Sequence, residues 1–314
     1  MSLIGKGGVG FVFYPPIQCT GTVICTDCVS KLMLPTSHYT DEIKANKIIS
    51  RLDISNSYHY PMLGYCIRAN NDDLPVLYRE YTAVIYYEKG EYDLRRALNR
   101  ILNSPLDRPQ AIDFIHKFVR LFDALIFFAE NDFVHTDIKA ENVIVDSKGE
   151  FRFIDFGLSF QGRPKDPGVY KENYPYWPPE TIFLSDNSSP EAIAAKADYY
   201  ETSPFTKVNS WLNTSIDLTT TLTNLKVSNL KKETIYYSMD IFGLGSLLSM
   251  AYIGLQYHLE TPETKTKWHE LLHHMVNYDI NKRFSPKRAR DEYLKILKHY
   301  PNYTPSSSRF NITR

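Results

Sequence analysis

His135-Thr136-Asp137-Ile138-Lys139-Ala140-Glu141-Asn142 runs into Val143-Ile144-Val145, a turn at Ser147-Lys148-Gly149, the stretch Phe151-Arg152-Phe153-Ile154, and then Asp155-Phe156-Gly157. Two short apolar runs about a polar, Gly-ended turn predict a hairpin, which returns the chain so that Asn142 and Asp155 face one place. Polar residues on a surface hairpin would account for a single His-x-Asp. They do not account for an aspartate, a lysine, an asparagine and a second aspartate in this order and spacing. Upstream, Asp113 to Glu130 carries a helical stripe of Ile115, Phe118, Val119, Phe122, Leu125 and Ile126. Further forward, residues 1–30 read as short strands with Val9, Phe11 and Phe13 alternating. Residues 40–52 read as a helix capped by Thr40, and Val76 to Tyr87 as strands again. Beyond Asp93 the pattern is mostly helical. A strand-rich front and a helix-rich back predict two lobes with a boundary near residues 86–93. Residues 181–235 are rich in Ser, Thr and Asn, with Ser189-Pro190 as a helix start, and read as a partly ordered insertion.

The opening motif resembles the catalytic loop and metal-binding triplet of protein kinases of the Ser/Thr type. The resemblance implies Asp137 as the carboxylate that orients the attacking hydroxyl and accepts its proton, and Lys139 as the cation at the transferred phosphoryl. It implies Asn142 and Asp155 as hard oxygen ligands for magnesium or manganese. Gly5-Lys6-Gly7-Gly8-Val9-Gly10-Phe11-Val12 fits the family's Gly-rich flap, with Gly5, Gly7 and Gly10 letting backbone amides approach the phosphates of ATP. A dinucleotide-binding loop shares that pattern but leads into a helix, which Pro15-Pro16 forbids here. Lys31 looks like the strand lysine of the α- and β-phosphates, 21 residues after Gly10. For its carboxylate partner Glu42 is the better candidate, lying at the start of a helix, while Asn46 is nearer the usual spacing and cannot form an ion pair. Val12 and Ile144 would sandwich adenine near a hinge at Tyr86 to Lys89.

Three further segments share the resemblance. Tyr176-Trp177-Pro178-Pro179-Glu180 is similar to the A-P-E that closes the activation segment. Asp240-Ile241-Phe242-Gly243-Leu244-Gly245 is similar to the buried helix whose aspartate bonds the catalytic loop. Asp279-Ile280-Asn281-Lys282-Arg283 is similar to the late turn whose arginine meets the A-P-E glutamate, so Glu180 and Arg283 are expected to pair. Thr136 stands where many kinases carry an activating arginine, and Asn173 where a threonine commonly bonds the catalytic aspartate. The resemblance spans about Ile4 to Leu297. It implies an α+β, two-lobed fold within a single domain over 1–300. The small β-rich lobe covers about 1–86 and has one main helix, and the larger helical lobe covers about 94–300; a polar tail fills 301–314. It implies a Ser/Thr protein kinase taking ATP and a protein substrate, with a pseudokinase or a small-molecule kinase as alternatives. The Pro-Pro-Glu and the long insertion resemble kinases of large DNA viruses, which places the chain in the host cytoplasm or the virion.

Composition narrows the field from the other side. Lys plus Arg and Asp plus Glu are balanced at 36 each, which argues against a general nucleic-acid binder. The N-terminus lacks a signal-type apolar run, and the uncharged stretch 241–257, broken by glycines and serines, reads as a buried core helix rather than a membrane span. Four cysteines, all in the first quarter, fit a reducing compartment. A zinc site at Cys25-x-x-Cys28 is disfavoured because no second C-x-x-C exists. His273 and His274 are adjacent on a helix and point apart.

Overall fold

The computed structural model describes residues 1–19, 24–104, 106–162, 174–185, 187–204 and 206–300. The chain divides into two compact units, Met1–Glu91 with Arg152–Ser159, and Tyr92–Phe151 with Phe160–Arg314.

The first unit is built on β1 (Ser2–Lys6), β2 (Gly10–Tyr14), β3 (Cys28–Met33), helix α1 (Ser37–Leu52), β4 (Met62–Ile67) and β5 (Ala83–Glu88). The sheet is antiparallel in the order β1-β2-β3-β5-β4. Alternation along β2 buries Phe11 and Phe13, and the rings of Tyr78 and Tyr81 meet them edge-on. On another face Met33, Ala83 and Ile85 pack with Tyr39 and Ile43 of α1. Gly10 is required by packing: a Cβ there would come within 2.5 Å of the Leu32 carbonyl oxygen on β3. At the tip of the β1–β2 hairpin the Gly7 amide donates to the Gly10 carbonyl at 2.9 Å, and Gly8 faces open space, so its backbone is bare and approachable.

Two sequence expectations shift here. Helix α1 begins three residues before Thr40, with Thr36 as N-cap; the Thr40 hydroxyl lies inside the first turn and donates to the Ser37 carbonyl. Of the run from Val76 to Tyr87, only the part from Ala83 is strand. Val76–Tyr78 is a 3-10 turn after Pro75, held by the Asn71 amide donating to the carbonyls of Tyr78 (3.1 Å) and Tyr81 (2.7 Å), and β5 begins only at Ala83. Cys19 is paired with Cys66 and Cys25 with Cys28. Both pairs lie within the first unit. No group of three metal-ligating side chains occurs among the described residues.

The second unit contains β6 (Tyr92–Asp93), α2 (Leu94–Asn103), α3 (Arg108–Glu130), β7 (Phe133–Val134), β8 (Val143–Val145), β9 (Phe151–Phe153), where the chain passes into the first unit, and β10 (Phe160–Gln161). It continues with α4 (Pro190–Thr202), α5 (Lys207–Ser210), α6 (Leu218–Val227), α7 (Lys232–Leu259), α8 (Pro262–Met275) and α9 (Pro286–Leu297). Helix α3 starts at Arg108 because Asp107 and Gln110 form a capping box with Pro109 in the first turn. Helix α7 is long and apolar enough to cross a membrane, but 78% of its most apolar window is buried inside the protein. Two of its glycines let it approach its neighbours closely. A Cβ on Gly243 would meet the Ile138 carbonyl oxygen at 2.8 Å, and one on Gly245 would meet Met275 and Val276 at 2.7 Å. The segment read as a partly ordered insertion holds three helices. Leu218, Leu222 and Leu225 bury one side of α6 behind an Asp217 cap, a helical spacing obscured by the intervening threonines.

Candidate active site

In the first unit the polar centre lies between β3, α1 and the segment after β9. The register of β3 sets Lys31 between Val12 on β2 and Ile85 on β5. Its ammonium donates to both oxygens of Glu42 at 2.9 and 2.8 Å and to Asp155 Oδ1 at 2.9 Å. The structure thus resolves the choice of partner: Glu42 makes the ion pair. Asn46, one turn on, donates to the Glu42 carbonyl at 2.8 Å and to the Tyr87 hydroxyl at 3.1 Å. Tyr87 in turn donates to Glu42 Oε1 at 2.6 Å. Burial disfavours the Lys31 charge, but Asp155 and Glu42 outweigh it and hold the ammonium protonated, above the ordinary lysine range. Glu42, 1% exposed, is pushed up by the same burial, against the pull of Lys31.

Asp155 reaches this centre because its segment is stitched to the residues after α1. The Tyr60 amide donates to the Phe153 carbonyl (3.1 Å), the Phe153 amide donates to the Tyr58 carbonyl (2.9 Å), and His59 packs edge-on to Phe156. His59 is itself held by the buried Asp53 carboxylate at 2.8 Å. Burial alone would raise Asp53, yet the bond from His59 and the amides of Tyr58 and Ser57 bring it down to about 2. Asp155 has φ +62°, a left-handed conformation that turns its carboxylate out of the strand direction.

In the second unit Asp137 is nearly buried and crowded with donors. Lys139 Nζ and Asn142 Nδ2 each approach Asp137 Oδ2 at 2.8 Å, and the Tyr174 hydroxyl donates to Asp137 Oδ1. Lys139 also donates to the Tyr174 oxygen at 3.0 Å. The Tyr174 phenol is kept protonated, first by burial and then by the Asp137 charge beside it. The loop is shaped from α7: Asp240 accepts from the amides of His135 and Thr136, both at 2.8 Å. Those bonds offset the cost of Thr136, a β-branched residue held at φ +64°. Full burial pushes Asp240 up to about 7 despite both amides. Trp177 adds a 2.6 Å bond from its indole N–H to the Thr136 carbonyl, and Glu180 pairs with Arg283 at 2.5 and 3.2 Å with both side chains almost fully buried. Glu141 is bonded to Arg95 of α2 at 2.7 Å.

The Asn142 amide spends its N–H groups on the Asp137 carbonyl and carboxylate, which leaves its oxygen as the end suited to a hard cation. The Asp155 carboxylate has the same hard-oxygen character. Ile144 lies on β8, beside Asp93 of β6. Asn173, expected to bond Asp137, lies outside the described residues; Tyr174 makes that bond. Sequence reasoning missed the parts played by Tyr174 and Tyr87, since nothing in a tyrosine's neighbours in sequence shows which carboxylate its hydroxyl will reach.

A family model described as the protein kinase domain matches residues 1–299. Among curated proteins the chain is similar to a probable serine/threonine-protein kinase, ndrC, of Dictyostelium discoideum, at 27% identity over 54% of this chain and 12% of that protein. It is similar to an Aurora kinase of Patiria pectinifera at 28% identity over 57% of this chain and 40% of the relative. It is also similar to cyclin-dependent kinase 4 of Ovis aries at 31% identity over 31% of this chain and 29% of the relative. The matched stretch therefore spans less than half of each relative's own length.

Proposed function

The chain belongs to the protein kinase family, and from that premise we propose that it transfers the γ-phosphoryl group of Mg-ATP to Ser or Thr hydroxyls of protein substrates. The observation that carries the reading is the convergence of Lys139 and Asn142 on one oxygen of Asp137. A carboxylate oriented in this way is suited to align an attacking hydroxyl and take its proton. Lys139 offers positive charge where the transferred group gains negative charge. Lys31, held protonated by two carboxylates, binds phosphate oxygens, and the hairpin tip at Gly8 offers bare backbone to the same group. Asn142 and Asp155 each carry a hard oxygen of the kind magnesium takes, and magnesium when bound would neutralise phosphate charge. The lysine two residues after Asp137 supports Ser and Thr as acceptors, as does the name of the similar Dictyostelium discoideum protein. The Pro178-Pro179-Glu180 triplet and the long segment after it support a place among large DNA virus kinases. The test is incubation with γ-labelled ATP and magnesium on a protein array, followed by phosphoamino-acid analysis. Label on serine or threonine bears the proposal out. Label confined to tyrosine, or no label, refutes it.

A further inference from the structure

Behind the Lys31–Glu42 ion pair lies a second layer of polar contacts that phosphate binding does not itself require. Along β5, Ile85 and Tyr87 are two residues apart and so share a face, the one that packs with Met33, Tyr39 and Ile43. Ile85 contributes apolar surface to α1. Tyr87 reaches further and donates its single hydroxyl hydrogen to Glu42 Oε1 at 2.6 Å. Having given that hydrogen away, the phenol oxygen can only accept from its other neighbour, and Asn46 supplies an N–H at 3.1 Å. The same amide donates to the Glu42 carbonyl at 2.8 Å, so it spans one helical turn and the strand together. This arrangement fixes which way the Asn46 amide faces, and its oxygen is left buried with no partner. An unsatisfied buried oxygen is costly. That cost indicates how tightly the amide is committed to the phenol and the helix. All these groups lie in the first unit.

We propose that Tyr87 is a positioning residue that holds α1, and with it the Glu42 carboxylate, against β5 so that Lys31 is presented to the nucleotide phosphates, with Asn46 setting the direction of the phenol. The inference rests on the reading of Lys31 as the phosphate-binding lysine. It adds a tyrosine that acts on the Lys31 site through Glu42. Hydrophobic packing by the ring is a separate contribution, and phenylalanine retains it.

The test is a double-mutant cycle of Tyr87→Phe and Glu42→Ala in the full chain, with two readouts. The first is amide hydrogen exchange over residues 37–52 in protein without nucleotide. Tyr87→Phe is expected to speed exchange of the α1 amides about tenfold, the scale of one hydrogen bond to a charged group. In the Glu42→Ala background the same change is expected to add nothing. The second readout is Mg-ATP affinity, expected to weaken about five- to tenfold in Tyr87→Phe and to weaken no further when Glu42→Ala is already present. Unchanged exchange in Tyr87→Phe overturns the proposal, and so does an effect that adds in full to Glu42→Ala, because either outcome leaves the tyrosine as packing alone. If the wild-type chain binds no Mg-ATP, the proposed function falls, while the exchange cycle still decides whether Tyr87 acts through Glu42.

Discussion

Each unit contains a carboxylate that receives a lysine ammonium and a tyrosine hydroxyl, yet the two are assembled by different means. In the first unit Lys31, Glu42 and Tyr87 come from β3, α1 and β5, and the ion pair is almost fully buried. In the second, Asp137 and Lys139 are two residues apart in one loop, and Asn142 follows in the same turn. The first cluster is a product of packing, so disturbing it should change stability and nucleotide binding together. The second is a product of local backbone shape, held from outside by Asp240 and Trp177. Disturbing it should change rate with little effect on the fold.

The sharpest separation is expected from Asp137→Asn. Turnover on a peptide substrate should fall by about 10²–10⁴-fold, the range of a lost general base, while Mg-ATP affinity and the urea midpoint stay near wild type. A fall in affinity comparable to the fall in rate would erase the distinction between the clusters. Glu42→Ala should behave in the opposite sense. It strips the buried ammonium of one of its two carboxylates, so stability is expected to drop by about 3 kcal/mol, at the lower end of the range for a broken buried pair because Asp155 remains. Equilibrium urea unfolding measures this, and an unchanged midpoint would show that the pair is not assembled in solution.

Tyr174→Phe probes the local cluster more gently. It removes one donor to Asp137 and one acceptor from Lys139, and a rate loss of about 10- to 100-fold is expected from a hydrogen bond to a charged group. The KM for ATP should not change. A rise in that KM with kcat unchanged would contradict the assignment.

The smallest expected effect contrasts two buried aspartates through pH. Asp53, brought down to about 2, contributes stability above the ordinary carboxylate value and loses it as pH falls from about 4 towards 2. The stability difference between wild type and Asp53→Asn, about 2 kcal/mol at neutral pH, should therefore shrink in acid. Asp240, pushed up to about 7, is shifted the other way: its cost to the fold grows as pH rises from about 4 to 7. Relative to Asp240→Asn, wild type should lose stability over that interval. Urea midpoints measured from pH 2 to 8 test both signs. Both carboxylates accept backbone amides, but Asp240 is the more deeply buried and Asp53 gains an imidazole partner as well, so the balance tips opposite ways.

Part of each cluster was legible because its residues are carried by short local motifs. The order Asp137, Lys139, Asn142 fixes residue types that one loop brings near one another. The pairing of Glu180 with Arg283, 103 residues apart, was expected from family order and is present. Glu42 was harder to place, since its helix begins earlier than Thr40 implies and only the packing of α1 decides which side chain of the first turns meets β3. The segment 181–235 misled for a simpler reason. Threonine and asparagine mask a leucine stripe in any compositional reading, although the spacing was there to be counted.

By itself the sequence determined which residue types the loop offers and the order in which the chain presents them, because residues two and five positions after Asp137 are constrained by the loop's own geometry. It also determined that Gly10 must be glycine-like only in the sense of a motif; the close approach of the Leu32 carbonyl is a tertiary fact. The tertiary structure alone decided which hydroxyls hold the two carboxylates. Tyr87 and Tyr174 lie 45 residues after Glu42 and 37 after Asp137, and a hydrogen bond depends on where an oxygen finally rests, to within a few tenths of an ångström. The chain contains 23 tyrosines, and no local pattern singles out these two. They become visible only when a strand and a loop have packed, because burial deprives each carboxylate of water and leaves the nearest hydroxyl as its remaining donor.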